Sequence, residues 1–210
     1  MVELLASLLS ADWTRLAETL DHLEEIGVDG VHFDVMDGHF VENLSFGHGL
    51  LKQVCSATNL PVTVHLMVSH PQQLLEKYCL DGVQSVSVHC EAEGASRALK
   101  KIKSLGFDAG IAIKPKTDFF LLEGLEFDEV TVMSVEPGRG GQSFIKNSAA
   151  RVFEASQLCD RVLVDGGITL QTGKECVEAG ATSLVTGSYL FKRLTGTDDD
   201  KKLVKALKFI

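Results

Sequence analysis

The 210-residue sequence predicts an α/β protein built on parallel strands. Short apolar stretches with strand periodicity alternate with amphipathic helical stretches, which is typical of right-handed βαβ units. Glycines at positions 27, 82, 106 and 180 close four of the helical stretches just before the next strand, as expected for helix C-caps. Because eight strand patterns occur in this short chain, we predict a single-domain (β/α)8 TIM barrel over residues 1-210 rather than an open doubly wound sheet.

The strand and helix patterns can be assigned in order along the chain. The predicted strands lie at 4–7, 31–34, 62–66, 85–89, 110–113, 130–133, 162–165 and 183–186. Between them, apolar residues recur at helical spacing, as at Leu16, Leu20 and Leu23. Ser69 and Gln72 have the spacing of a capping box, which predicts a helix start. The apolar residues at 203, 204 and 207 predict a closing helix.

The composition excludes several classes of function. A formal net charge of −9 argues against a nucleic-acid partner, because phosphate backbones require a basic surface. No apolar run is long enough to span a membrane. The five cysteines are widely spread without a C-x-x-C pair, so we expect reduced thiols in a cytoplasmic protein without a leader peptide. His89, Cys90 and Glu91 are adjacent, but three consecutive strand residues cannot all face one metal ion.

Polar side chains lie at the ends of the predicted strands. His32 and Asp34 are two residues apart in the second strand, so both project to one face, roughly 6–7 Å apart. Ser7, His65 and Asp165 lie at the ends of the first, third and seventh strands. In a barrel these ends meet at one mouth, where active sites lie. Each residue alone could be a cap or a core residue, but two histidines and two aspartates together predict a divalent metal site.

Glycines follow the last three predicted strands. These loops contain Gly138, Arg139, Gly140 and Gly141 after the sixth strand, Gly166 and Gly167 after the seventh, and Gly187 and Ser188 after the eighth. A single glycine pair is usually only a turn. Three such loops on the same side as the histidines and aspartates favour a phosphate site, because glycines allow backbone N–H groups to approach an anion closely.

Several segments give the sequence a specific resemblance. They are SLLSAD at 7–12, HFDVMDGHFV at 32–41, VHLMV at 64–68, MSVEPG at 133–138, GGQSF at 140–144, VDGGI at 164–168 and Gly187-Ser188. In this order they resemble the signature segments of ribulose-phosphate 3-epimerases. The segments are distributed over nearly the whole chain, so the resemblance is far more specific than any single motif.

The resemblance implies an isomerase of the pentose phosphate pathway that interconverts D-ribulose 5-phosphate and D-xylulose 5-phosphate. It implies that His32, Asp34, His65 and Asp165 hold one divalent metal ion. Asp34 and Asp165 would also be the acid/base pair, which transfers protons at carbon 3 through a metal-stabilised enediolate. Zinc suits this ligand set best, and ferrous iron, manganese and cobalt are alternatives. The resemblance also suggests a homo-oligomer, a dimer or larger.

The resemblance assigns further residues to the substrate. Ser7 and His65 would contact the sugar, and the glycine loops would line the phosphate end beside Asp165. Met36, Met67 and Met133 match the family's belt of methionines around the reacting centre, although core packing explains methionine by default.

Some alternatives stay open at the level of sequence. Glu42, Lys116 and Arg139 depart from residues common in the family, so a six-carbon ketose phosphate such as D-allulose 6-phosphate is an alternative substrate. A phosphate-binding decarboxylase or synthase would need a catalytic lysine, for which Lys114 is the candidate, and would leave the paired aspartates unexplained. A non-catalytic sugar-phosphate-binding barrel predicts a lost acid or ligand, and none is lost.

Overall fold

The computed structural model describes residues 1–210 and contains a closed barrel of eight parallel strands. The strands are β1 (Glu3–Ser7), β2 (Gly30–Met36), β3 (Val62–Met67), β4 (Val83–His89), β5 (Asp108–Ile113), β6 (Glu129–Met133), β7 (Val162–Asp165) and β8 (Ser183–Thr186). Each strand pairs with the next, and β1 pairs with β8 to close the barrel. The predicted (β/α)8 fold class is confirmed.

Eight α-helices surround the barrel. They are α1 (Leu16–Ile26), α2 (His48–Ala57), α3 (Leu75–Tyr78), α4 (Ala95–Ser104), α5 (Ser148–Ser156), α6 (Leu170–Glu178), α7 (Ser188–Phe191) and α8 (Asp198–Lys208). They do not alternate strictly with the strands, because β5 and β6 are joined by a 3-10 turn, Phe119–Leu122. The side chain of Asp118 caps this turn by accepting a hydrogen bond from the Phe120 N–H. No helix could cross a lipid bilayer, because none combines the necessary length and apolar character.

The alternation of side chains along the strands separates the apolar core from the polar interior of the barrel. In β2, Val31, Phe33 and Val35 pack with Leu20 and Leu23 of α1 in the main hydrophobic core between strands and helices. The residues of the other parity face the inside of the barrel. The two-residue periodicity of the strand therefore places the polar side chains of β2 inside the barrel.

Two local predictions are corrected by the structure. Strand β2 extends to Met36, two residues past its predicted end, because Met36 pairs with Met67 and its N–H donates to the Ser45 hydroxyl. Ser69 does not cap a helix. Its backbone N–H donates to Asp37 Oδ2 at 2.8 Å, and a 3-10 turn begins only at Pro71.

Candidate active site

Four of the predicted site residues meet at the carboxyl ends of β2, β3 and β7. One ligand atom from each of His32, Asp34, His65 and Asp165 lies within 4.8 Å of the others. The register between β2 and β3 explains part of this proximity, because Asp34 lies directly opposite His65 in the sheet. His32, Asp34 and His65 are buried, whereas the Asp165 side chain keeps 15% of its exposure.

The spacing of these atoms fits a small divalent cation. His32 Nε2 lies 3.4 Å from both His65 Nδ1 and Asp34 Oδ1, and His65 Nδ1 lies 3.3 Å from Asp34 Oδ1. Asp165 Oδ2 lies 3.8 Å from His32 Nε2 and 3.6 Å from His65 Nδ1. Ligands about 2.0–2.1 Å from a tetrahedral zinc ion are roughly 3.3 Å from one another. The donor set of two imidazoles and two carboxylates therefore fits a metal ion in both chemistry and distance.

The two histidines of the cluster differ in the groups that contact their outer ring nitrogens, those pointing away from the carboxylates. His32 Nδ1 lies 2.9 Å from the Thr63 hydroxyl. His65 Nε2 lies 2.9 Å from Nε2 of His89, whose Nδ1 lies 3.1 Å from Glu91 Oε2. Both inner nitrogens are thereby directed at the carboxylates.

Without an ion, the electrostatics of the cluster favour an ionised carboxylate at Asp34. Burial opposes ionisation of Asp34, but the facing imidazoles of His32 and His65 hold the pKa of its carboxyl well below the usual range. Burial would lower the pKa of His65, but the facing carboxylates of Asp165 and Asp34 raise it to about 9. In the absence of an ion, a proton on His65 therefore supplies part of the positive charge that the carboxylates require.

Hydrogen bonds hold Asp34 in one orientation. Its Oδ1 faces the two imidazoles, while its Oδ2 accepts a hydrogen bond from the Ser7 hydroxyl at 2.8 Å. The backbone carbonyl of Asp34 accepts from the Ser45 hydroxyl at 2.6 Å. Ser45 lies in the loop after β2, and its role could not be found from periodicity because the loop has none.

A cavity of about 530 Å³ opens above this cluster. Asp34 and Asp165 line it together with Met36, Met67 and Met133. All the remaining predicted substrate residues except His65 also line it, namely Ser7, Gly138, Arg139, Gly140, Gly141, Gly166, Gly167, Gly187 and Ser188. His32 and His65 do not line the cavity, because they lie beneath it with relative exposures of 2% and 0%.

The glycine loops leave no room for larger side chains at two positions. Gly166 and Gly167 have φ angles of +118° and +65°, a region that other residues rarely adopt. A Cβ atom on Gly166 would lie 2.4 Å from the Val135 side chain, and one on Gly167 would lie 2.7 Å from the Phe144 backbone nitrogen. The loop after β7 therefore packs tightly against the loop after β6.

The cavity also has lining residues that sequence reasoning missed. Ser10, Ser143, Tyr189, Lys192 and Arg193 reach it from loops and from α7. Lys192 and Arg193 lie only a few residues after Gly187 and Ser188 in the sequence. This proximity is the feature of the sequence from which they could be predicted to line the cavity. Lys114, the candidate for a catalytic lysine, does not line the cavity; its Nζ lies 3.9 Å from the centre of the Phe40 ring.

Comparison with known proteins decides the family. Residues 3–191 match the Ribulose-phosphate 3 epimerase family. The chain belongs to the ribulose-phosphate 3-epimerase family. It is thus an isomerase of the epimerase type. The resemblance stated from the sequence segments is confirmed.

Individual relatives match over most of their length. The ribulose-phosphate 3-epimerase of Bacillus subtilis is 34% identical over 99% of both chains. That of Treponema pallidum is 42% identical over 88% of this chain and 89% of its own. The chloroplastic ribulose-5-phosphate-3-epimerase of Arabidopsis thaliana is 37% identical over 96% of this chain and 74% of its own.

Solved structures of other proteins share the barrel alone. A mutant tryptophan synthase alpha-subunit from Pyrococcus furiosus has a TM-score of 0.71 with 17% identity, and covers 100% of both chains. The thiamine phosphate pyrophosphorylase of Pyrococcus furiosus has a TM-score of 0.64 with 13% identity, over 98% of this chain and 93% of its own. At identities this low, the similarity shows only that these proteins share the fold.

Proposed function

We propose that this protein is a metal-dependent 3-epimerase that interconverts D-ribulose 5-phosphate and D-xylulose 5-phosphate. Family membership and the names of the relatives support a pentulose phosphate as substrate. One observation carries the proposal. Two carboxylates, Asp34 and Asp165, converge with two imidazoles at one end of a cavity whose other lining is rich in glycine.

Epimerisation at carbon 3 requires removal of a weakly acidic proton from one face and delivery of a proton to the other. Asp34 and Asp165 both line the cavity, so each can serve one face of a bound substrate. In one direction a carboxylate takes the proton from carbon 3 while the other residue, as a carboxylic acid, donates its proton to the opposite face. In the reverse direction the two residues exchange roles, and the intermediate need not turn over.

Each carboxylate has one oxygen for the cluster and one for proton transfer. Asp34 Oδ1 and Asp165 Oδ2 face the imidazoles. Asp34 Oδ2 is held by the Ser7 hydroxyl, which we propose also contacts the sugar. His65, for which the sequence resemblance implied a sugar contact, is fully buried beneath the cavity, so we assign it to the metal site alone. The glycine loops would bind the phosphate through backbone N–H groups, and thereby fix carbon 3 between the two carboxylates.

We propose His32, Asp34, His65 and Asp165 as the residues that hold a divalent ion, with zinc first and ferrous iron, manganese or cobalt as alternatives. When bound, such an ion would supply positive charge that stabilises the negative charge developing on the substrate oxygens. The three methionines of the cavity, Met36, Met67 and Met133, would surround the reacting carbon with side chains that do not titrate.

The direct test is epimerisation of D-ribulose 5-phosphate by metal-stripped protein, with and without added divalent ions. The stripped protein should be inactive, and zinc or one of the alternative ions should restore turnover. Turnover of D-allulose 6-phosphate alone would move the assignment to six-carbon ketose phosphates. No turnover of either substrate with any ion would contradict catalysis and favour a sugar-phosphate-binding barrel.

We also propose that the protein acts in the cytoplasm as a homo-oligomer, a dimer or larger. Five free cysteines are compatible with a reducing compartment. The sequence resemblance to the family supports self-association, and exposed apolar side chains such as Leu44, Phe120 and Phe153 are available to an interface. Sedimentation equilibrium should give at least twice the chain mass, and a monomer at micromolar concentration would contradict this expectation.

A further inference from the structure

A chain of hydrogen bonds leads from the metal-facing cluster into the wall of the barrel. His65 directs Nδ1 at Asp34 and Asp165, and its Nε2 lies 2.9 Å from His89 Nε2. His89 Nδ1 lies 3.1 Å from Glu91 Oε2. Both histidine rings are fully buried, and the Glu91 side chain keeps 17% of its exposure. None of the residues beyond His65 lines the cavity.

We propose that His89 and Glu91 are positioning residues that keep the proton of His65 on Nε2, and so keep its Nδ1 lone pair free for a metal ion. The inference rests on the metal site of the proposed function. A histidine nitrogen that binds a metal carries no proton, and the hydrogen bond of the other nitrogen determines which one this is.

The order of donors and acceptors follows from the chemistry of the groups. When Nδ1 of His65 binds an ion, its Nε2 carries the proton and donates it to His89 Nε2. Neutral His89 then carries its own proton on Nδ1, where it can donate only to Glu91 Oε2. The chain of three side chains is satisfied in this direction because an ionised carboxylate only accepts hydrogen bonds.

The second oxygen of Glu91 is also fixed. Glu91 Oε1 accepts a hydrogen bond from the backbone N–H of Lys114 at 2.8 Å. The Glu91 carboxylate therefore lies between two donors. One is the backbone N–H of Lys114, the residue after β5, and the other is His89 Nδ1. Because Oε1 is occupied by the Lys114 N–H, Oε2 is the oxygen that faces His89, and in an ionised carboxylate this oxygen can only accept a hydrogen bond.

The loop after β2 covers the chain of hydrogen bonds. The Phe40 ring lies 4.7 Å from the His89 ring, centre to centre, and the Lys114 ammonium lies 3.9 Å from the centre of Phe40. Because His89 is fully buried, solvent does not compete for its nitrogens in this arrangement. The protein alone thus determines the direction of the hydrogen bonds.

The outer nitrogen of His32 is held by a neutral hydroxyl instead of a histidine and a carboxylate. His32 Nδ1 lies 2.9 Å from the Thr63 hydroxyl, which also donates a longer hydrogen bond of 3.4 Å to the backbone carbonyl of Val31. Only this longer contact favours the hydroxyl as an acceptor from His32, because a hydroxyl can otherwise donate or accept. A carboxylate that can only accept is found in the His65 branch.

The decisive variant is Glu91→Gln, which keeps the shape and changes only the donors. The Lys114 N–H requires the amide oxygen of the glutamine, so the NH2 group faces His89 Nδ1, where a second donor already lies in the metal-bound state. We expect the affinity for zinc, measured by competition with a chromophoric chelator, to fall about tenfold to a hundredfold. Glu129→Gln is the matched control, because Glu129 is a buried carboxylate paired with Arg161 outside the cluster. It should keep zinc affinity within about twofold of the unmodified protein.

The outcomes separate the inference from the proposed function. Equal zinc affinities for Glu91→Gln and the unmodified protein would overturn the inference alone. An unmodified protein that binds no zinc would overturn the metal site and the inference together.

A second measurement does not require any variant to fold. Nitrogen-15 spectra of the histidine rings in the zinc-loaded protein should show neutral His89 with its proton on Nδ1 and His65 with its proton on Nε2. A proton on Nε2 of His89 would overturn the inference, because His65 and His89 would then not be joined in the required direction.

Discussion

The two ends of the barrel interior both contain charged residues, but they neutralise charge in different ways. At the amino-terminal end, buried Glu129 lies 3.1 Å from Arg161, which also binds Asp108. At the mouth, the basic groups that face Asp34 and Asp165 are the imidazoles of the cluster. The amino-terminal end thus contains its own permanent cation, whereas the positive charge at the mouth comes from protons or from a bound ion. This difference indicates that the first region serves stability and the second serves chemistry.

The largest expected effect separates the two regions by activity. Asp34→Asn and Asp165→Asn should each lower kcat by at least about 10²-fold to 10⁴-fold, because each removes a group that transfers a proton. Glu129→Gln, at the opposite end, should keep kcat within about fivefold. Steady-state kinetics with D-ribulose 5-phosphate measure both. Appreciable activity in either aspartate variant would contradict the two-carboxylate mechanism.

The second prediction concerns the amino-terminal end, where a substitution should affect stability. Arg161→Ala should lower the free energy of unfolding by about 3 kcal/mol, because it leaves the Glu129 charge buried without a partner. Burial already raises the pKa of Glu129, and Arg161 counteracts this. Urea unfolding measures the change. In the double variant Arg161→Leu/Glu129→Leu most of the loss should be recovered; a loss as large as that of the single variant would show that packing, not charge, is responsible.

The third prediction is a pH dependence of the free energy of unfolding that arises from the residues at the mouth. Without an ion, Asp165 and Asp34 raise the pKa of His65 to about 9 in the folded protein, against the effect of burial. The pKa of a histidine in an unfolded chain is about 6.5. The stabilisation is therefore fully present below pH 6.5 and is lost as pH rises through about 9. With a chelator present, the free energy of unfolding should fall by about 3 kcal/mol over this range.

The control for that prediction is the zinc-loaded protein. With an ion in place of the proton on His65 Nδ1, stability should change little over the same pH range. An equal decline with and without zinc would show that the pH dependence arises elsewhere in the chain.

The smallest expected effect concerns the exposed arginine of the mouth. Arg139 lines the cavity beside the glycine loops, unlike Arg161, which is held by two carboxylates. Arg139→Ala should raise KM about twofold to fivefold at low salt and leave kcat unchanged, because exposed charges contribute little and are screened. Lys116→Ala is the control, since Lys116 is outside the cavity lining and paired with Glu136 at 3.7 Å. An unchanged KM in the Arg139 variant would exclude a contact with the phosphate.

The sequence predicted those features that periodicity controls. Two-residue spacing put His32 and Asp34 on one face of β2, and parallel strand ends brought His65 and Asp165 to them. Loops and side-chain contacts between strands could not be predicted in this way. Ser69 had the spacing of a cap, but the Asp37 carboxylate binds its N–H instead.

The hydrogen-bonded chain behind His65 illustrates the limit most clearly. His89 and Glu91 flank Cys90 in the sequence, and strand spacing predicts only that the three residues cannot share one ion. Their contact with His65 depends on the register between β3 and β4, which shifts at Val62/Thr63, and on the ring orientations. Neither is encoded in the spacing of residues along one strand.

The central claim is that two carboxylates at the mouth transfer different protons at carbon 3. It is tested most directly with D-ribulose 5-phosphate carrying deuterium at carbon 3, converted by the metal-loaded protein in ordinary water and sampled early in the reaction. The account predicts D-xylulose 5-phosphate with hydrogen from solvent at carbon 3, while the remaining substrate keeps its deuterium. Deuterium carried from substrate into product would contradict it, because one group would then both remove and return the same atom.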